Sequence, residues 1–419
     1  MTTLKDKIFR LLKWSEKYTK TDMIYASRSG FWLLIGQSIG TLVSLILTLV
    51  FANYLSKEVF GIYKYILSTV GFLTVFSLSG MNTVITRAVA QGYDGTFKYS
   101  LLLQLKWTLP QFLSLLALSI YYYLQLNTPY AIAFLVTSIF GPLSTVANSF
   151  NAFLHGKQDF RTSTFYNAGS AILYGTLMVS VVFYAPKIVW LIATYFIFHA
   201  LINIFFCFRT LKKYPPINPT LRDEDVSYAK HLSIMNVIGS AAQQIDNIIV
   251  YHLLGPAQLA IFTFSTILPD RIRTIFNTLA SAALPKLSEK EGGSWKSIKF
   301  KMIQLGILAT FIILLYVLTA HYFYNLFFPQ YVSSIWYSQI YVFSLLVLPG
   351  YISLPTLQAI KSQKELYVIN VIIPIFKIVI TGIAIFLWGI LGAIIAKVIY
   401  YFIFTSIVIY FTDLKLNSS

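Results

Sequence analysis

Long apolar runs alternate with short polar turns along the whole chain. Each run is long enough to cross a hydrocarbon core of about 30 Å as a helix. The pattern predicts twelve transmembrane helices, at roughly 29–51, 60–80, 100–124, 130–154, 163–185, 188–209, 231–253, 259–284, 302–324, 334–358, 366–388 and 390–411. The last two are joined by a very short turn at residue 389. The predicted class is an all-α integral membrane protein.

The pattern also echoes itself at half the chain length. Asn53–Tyr63, with Tyr54-Leu55 before a polar turn and Gly61-Ile62-Tyr63 after it, lines up with His252–Phe262, with Leu253-Leu254 before and Ala260-Ile261-Phe262 after. Such an echo predicts two six-helix lobes related by a parallel internal repeat, a transporter design. The expected divisions are a basic amphipathic segment at 1–28, an N-lobe at 29–214 and a C-lobe at 215–419. A Pro-rich linker at about 210–230 straps the two together.

Composition agrees with the pattern. Hydrophobic residues make up 57% of the chain and charged residues 11%, where a soluble domain carries about 25% charged. With the N-terminus placed in the cytoplasm, nearly every loop Lys and Arg falls on the inner side. The outer loops hold only Lys57 and Lys187, as the positive-inside rule requires. Both termini are therefore expected in the cytoplasm, across the cell (cytoplasmic or inner) membrane. The net charge of +17 then serves orientation and contact with anionic membrane lipids, and no nucleic acid is implied. Residues 1–28 read as an interfacial segment along the inner surface rather than a cleavable signal.

The polar sequence excludes several chemistries. Cys207 is the single cysteine, which rules out an internal disulfide and a multi-cysteine metal cluster. The five histidines show no ligand spacing, no phosphate-cradling glycine loop appears, and no cofactor is implied. The predicted outer loops are too short to present a catalytic domain. A transporter is expected, not an enzyme.

Ionisable residues inside spans are costly, at about 2.5–3.5 kcal/mol each near a helix centre, and mark function or pairing. The candidates are Lys64, Lys106, Asp246, Asp270, Arg271, Arg273, Lys377 and Lys397. In the eighth span Pro269 precedes Asp270-Arg271-Ile272-Arg273, and Asp270 and Arg273 are i,i+3 neighbours able to neutralise each other. Arg271 sits roughly 100° round the helix and leaves the local sum positive. Asp246 follows Gln243-Gln244 and precedes Asn247; it is read either as a partner for a basic residue or as a proton or sodium site. Asn148 and Asn151 in the fourth span read as helix–helix glue. The surplus of basic groups favours an anionic substrate, and Arg suits bidentate phosphate binding. Lys64, Arg271, Arg273, Lys377 and Lys397 are the candidate substrate-binding residues, with Asp246 and Asp270 the candidate coupling carboxylates.

These segments also carry a family look. Val50–Tyr63, continuing to Gly80-Met81-Asn82-Thr83-Val84-Ile85-Thr86-Arg87, resembles the opening of the polysaccharide flippases, the O-antigen and capsule repeat-unit transporters of the multidrug/oligosaccharidyl-lipid/polysaccharide (MOP) exporter superfamily. Gln244–Val250 with Leu253-Leu254-Gly255 resembles the start of that family's second half. Leu326–Tyr331, Gln358–Glu365 and Leu154–Phe160 fit it at matching places. The resemblance implies a MATE-like fold and an undecaprenyl-diphosphate-linked oligosaccharide as cargo. It implies alternating access, for cell-surface polysaccharide biosynthesis, and contact with polysaccharide polymerase or export machinery. Within the superfamily the rival is a cation-coupled multidrug antiporter, whose cationic cargo calls for exposed carboxylates. From another class, the rival is an integral-membrane glycosyltransferase or polymerase.

Overall fold

In hydrocarbon a backbone must satisfy its own N–H and C=O groups, and an apolar run does so as a helix. The structure, a computed structural model, describes residues 23–215, 223–289, 295–359, 365 and 367–417. Most of the basic segment 1–28, the middle of the linker, and Lys290, Lys361 and Lys364 lie outside the described residues. No strand occurs among those described. The helices are α1 (Met23–Tyr54), α2 (Lys57–Leu73), α3 (Met81–Ala90), α4 (Thr96–Trp107), α5 (Leu109–Leu124), α6 (Thr128–Ala147), α7 (Phe150–Gly156) and α8 (Phe160–Tyr184). They continue as α9 (Ile188–Lys213), α10 (Asp223–Leu254), α11 (Pro256–Glu289), α12 (Trp295–Phe327), α13 (Ile335–Tyr341), α14 (Gly350–Ala359) and α15 (Ile373–Asn417).

Among the described residues, eight helical segments are long and apolar enough to cross a membrane. The chain is a multi-pass membrane protein. Six of the eight coincide with the first six predicted spans, and Lys299–Phe327 with the ninth. The eighth, Val368–Lys415, has 48 residues, about 70 Å as a straight helix and more than twice the hydrocarbon thickness. It reverses instead at Gly389, whose φ of 58° and ψ of −134° suit glycine. Immediately beyond, a Cβ on Gly392 would stand 1.8 Å from the carbonyl oxygen of Ala384, so the chain folds back on itself. The last two predicted spans are thus the two arms of α15. The spans predicted at 231–253 and 259–284 fall on α10 and α11, whose amide and charged residues lower their hydropathy. The span predicted at 334–358 falls on short helices and tight turns between Pro329 and Ala359.

Two compact units form. One comprises Met1–Val50 and Phe76–Ser233, the other Phe51–Val75 and Ile234–Ser419. Chain order places residues 51–75 in the N-lobe, yet here they pack in the second unit. The reason is local and steric. A Cβ on Gly61 would lie 1.9 Å from the Pro256 carbonyl oxygen, so glycine alone lets α2 lie against the start of α11. The two echoed loop sequences therefore meet. Phe60 packs on Phe264 at 5.0 Å, Tyr65 stacks on Tyr251 at 3.8 Å, and Asn247 Nδ2 donates to Ser68 Oγ at 2.9 Å. The first turns of α10 belong to the first unit by the same kind of approach: a Cβ on Gly80 would lie 2.5 Å from the Ala229 carbonyl oxygen, and Gly80 N–H donates to Ser233 Oγ.

The first unit's core gathers Leu78, Met81, Ile85, Phe97, Phe150, Phe153 and Phe206, all buried. Tyr166 stacks on Phe206 at 4.2 Å. In the second unit Phe264 stacks on Tyr331 at 3.8 Å, and Tyr324 donates its hydroxyl to the Phe264 carbonyl. Ile313, Val342 and Leu345 form a neighbouring cluster. These aromatic layers fix α11 against the broken segment after α12, and so set the frame of the cavity.

Candidate substrate cavity

A cavity of about 660 Å³ opens within the second unit. Lys64 reaches it from α2, Gln243, Gln244 and Asn247 from α10, and Asp270, Arg271 and Arg273 from α11. The two arms of α15 supply Pro374, Lys377, Lys397, Tyr400 and Tyr401, and Asn370 comes from the preceding π-helical turn at Val368–Ile372. All five candidate substrate-binding residues and Asp270 line this one space. Asp246 stands just behind its wall.

Helix geometry explains the convergence. Lys377 lies twelve residues before Gly389 and Lys397 eight residues after it, about 18 and 12 Å along the two arms, and the reversal at Gly389 lets their long side chains converge from unequal heights. They meet at Asp246 on α10. Lys377 Nζ is 2.8 Å and Lys397 Nζ 3.6 Å from Asp246 Oδ2, with the carboxylate only 2% exposed. Lys377 also donates to the Ala242 carbonyl, and its ammonium lies 5.6 Å from the Tyr400 ring centroid. Lys397 lies over the rings of Phe262 at 5.2 Å and Tyr341 at 5.4 Å. The cations are thus embedded in a wall of aromatic faces, which attract positive charge where water is scarce.

The second pair sits on α11, which runs through Pro269 as unbroken helix. Arg273 Nη2 is 2.6 Å from Asp270 Oδ1, the i,i+3 pairing that the spacing allows. Tertiary structure adds to it. Tyr341 at the end of α13 donates to Asp270 Oδ1 at 2.7 Å and accepts from Arg273 Nη1 at 3.2 Å. The Tyr401 ring lies 4.0 Å below the guanidinium. Sequence reasoning passed over these tyrosines, although Tyr400 and Tyr401 follow Lys397 by three and four residues and so share its helix face.

Lys64 is half-buried in the lining. Among the described residues it has no carboxylate within ion-pairing distance. Counting both pairs, five cationic side chains meet two carboxylates around the cavity. A concave, partly dehydrated site with that surplus concentrates anions, and two arginines with three lysines offer many donors for phosphate oxygens. Among the described residues no group of His, Cys, Asp or Glu could hold a metal ion.

The first unit places its polar groups differently. Asn148, Asn151, Asn167 and Ser163 form a network of amides and a hydroxyl, with Asn151 Nδ2 donating to Asn148 Oδ1 at 2.8 Å and Asn167 Nδ2 to Asn151 Oδ1 at 2.8 Å. Asn148 and Asn167 are exposed, and the network joins the end of α6 to α7 and α8. Ion pairs occur at helix ends, Lys157 with Asp94 at 2.6 Å and Lys213 with Asp159 at 2.7 Å. Asp159 also caps α8 through the Thr162 N–H and accepts from the Tyr214 hydroxyl. Burial acts to raise the Asp159 carboxyl, but the hydrogen bonds from Lys213, Thr162 and Tyr214 outweigh it and hold the group well below the usual carboxylate range.

A family model described as "Polysaccharide biosynthesis protein" matches residues 26–291. Several solved structures share the fold. An inward-facing multidrug resistance MATE family transporter of the MOP superfamily aligns with a TM-score of 0.64 at 13% identity, covering 92% of this chain and 98% of that one. A MATE in complex with MaL6 aligns at 0.63 and 13%, covering 94% and 96%. A MOP superfamily transporter from Pyrococcus furiosus Vc1, described with a binding pocket of reverse polarity that suggests a different function, aligns at 0.61 and 14%, covering 94% and 96%. At such identities the likeness is one of fold, and the fold is that of the MATE transporters. No curated protein matches the sequence.

Proposed function

Because the chain belongs to the polysaccharide biosynthesis protein family, within the MOP exporter superfamily, we propose that it is a flippase for a polyprenyl-diphosphate-linked oligosaccharide. It moves that lipid from the inner to the outer leaflet of the cytoplasmic membrane by alternating access, with both termini in the cytoplasm. The observation that carries the reading is the cavity in which Lys64, Arg271, Arg273, Lys377 and Lys397 outnumber Asp246 and Asp270. An ionised diphosphate is very costly to bring into hydrocarbon unless paired and hydrogen-bonded. Five cations on rigid helices supply that pairing, and Gln243, Gln244, Asn247 and Asn370 beside them offer donors and acceptors to sugar hydroxyls. The polyprenyl tail needs no pocket, since it stays in lipid.

A multidrug antiporter with cationic cargo fits the same fold. It would place its drug among these five cations, an arrangement disfavoured by like-charge repulsion. The cavity polarity therefore supports the anionic cargo.

The experiment is mass spectrometry of polyprenyl-diphosphate intermediates in cells depleted of the protein. Accumulation of a complete oligosaccharide on its carrier, inaccessible to an external probe until expression is restored, is the expected result. An unchanged carrier-lipid profile together with raised sensitivity to cationic drugs would overturn the reading in favour of drug export.

A further inference from the structure

Asp246 presents an energetic puzzle. A lone buried carboxylate is costly, and a single well-placed cation suffices to compensate one. Here two ammonium groups from the two arms of α15 converge on one oxygen of a side chain that is 2% exposed. The place beside that oxygen is already held by tethered cations, so a free sodium ion would have to displace a lysine to bind there. Both lysines also line the cavity, whereas Asp246 itself is absent from its lining. The carboxylate thus sits behind the cations and neutralises them from the side away from any ligand.

We propose that Asp246 is an internal counter-anion that competes with the bound anionic head group for Lys377 and Lys397. In the empty cavity it holds both ammonium groups against the wall and lowers the charge offered to a ligand. An entering diphosphate draws the lysines forward, and Asp246 draws them back when the head group leaves. Affinity is thereby set below its maximum, which favours release, since a substrate bound too tightly is not turned over. This inference deepens the proposed function and rests on its diphosphate-binding reading. It gives Asp246 a positioning role, without contact to substrate. Asp270 differs in this respect, because it belongs to the cavity lining and shares Arg273 with Tyr341 and Tyr401.

The test uses the purified full chain and farnesyl diphosphate as a short-chain probe, with calorimetry reading binding. Asp246→Asn is nearly isosteric and removes the competing charge. It is expected to bind the probe on the order of tenfold more tightly than the wild type. The gain should vanish in the double variant Asp246→Asn/Lys377→Met. A merely structural role predicts weaker binding, and unchanged or weaker binding by a folded Asp246→Asn protein overturns the inference while the diphosphate reading stands.

A second variant keeps the inference testable should Asp246→Asn misfold. Lys377 and Lys397 are the charged groups within ion-pairing distance of Asp246 among the described residues. Asp246→Ser is smaller, uncharged and able to accept a hydrogen bond, and it is expected to show the same gain in affinity for the probe. Unchanged or weaker binding by a folded Asp246→Ser protein overturns the inference. Failure of the wild type and the variants alike to bind the probe overturns the diphosphate reading and the inference together.

Discussion

The two units share a helical plan and differ in where they keep charge. In the first unit, ionic groups pair at helix ends: Lys157 with Asp94, and Lys213 with Asp159 beside the cap of α8. Within its helices it carries the uncharged network of Asn148, Asn151, Ser163 and Asn167. The second unit carries its charge in the interior, with Asp246 clasped by two lysines and Asp270 held by Arg273 and Tyr341. At these helix ends a lysine of each pair reaches water, Lys157 over buried Asp94 and the more exposed Lys213 beside Asp159, and a pair open to solvent contributes little. Charges inside lose most of their hydration and persist only when partners surround them. The second unit accepts that cost around a cavity, which is where the proposed anionic cargo would need fixed cations.

The strongest challenge to this contrast is Lys377→Ala. It leaves buried Asp246 facing only the more distant Lys397, and a loss of about 3 kcal/mol is expected. Thermal unfolding of the purified protein reads it, and a change of less than 1 kcal/mol would show that the pair is not under interior conditions.

Next in size is Gly61→Ala. The added methyl would collide with the Pro256 backbone and push α2 from α11, at a cost of about 1–3 kcal/mol. Should this variant unfold at the wild-type temperature, the packing of residues 51–75 into the second unit is wrong.

A paired comparison addresses function directly. Lys64→Gln removes a cation from the cavity lining, whereas Lys106→Gln removes an exposed cation from the first unit. Delivery of carrier-linked glycan to the outer leaflet is expected to fall roughly tenfold in the first case, one contact to a charged ligand, and to stay near wild type in the second. Equal effects would erase the distinction between the units.

The smallest effect belongs to Asp159→Asn at the end of α8. Its partner Lys213 is 45% exposed, so solvent screening limits the loss at neutral pH to about 0.5 kcal/mol. The sign with pH follows from the depressed carboxyl. Its contribution is complete above the ordinary carboxylate value near pH 4 and is lost as pH falls further. Wild type and variant should therefore converge in acid; a gap that widens there contradicts the assignment.

Much of the molecule is legible in the sequence. The apolar runs fixed the helices, since length and hydropathy are local properties of a chain in a bilayer. The short turn at Gly389 and the ionic residues within spans were visible as breaks in those runs. The pairing of Asp270 with Arg273 followed from helical spacing alone. Harder to see were Tyr341 and Tyr401, because an aromatic residue in a membrane helix is ordinary until something is known to lie against it.

Partnership across distance belonged to the tertiary structure. Asp246 lies 131 residues from Lys377 and 151 from Lys397, and only the fold-back at Gly389 brings both lysines to one oxygen. The placement of α2 with the second unit depended on Gly61 meeting Pro256, a contact that no local pattern encodes. The sequence by itself determined which stretches enter the membrane and which costly charges go with them, because each residue's transfer energy is its own. Tertiary structure decided which charges compensate one another and which stand in the cavity, because Coulomb attraction and close packing act between neighbours in space.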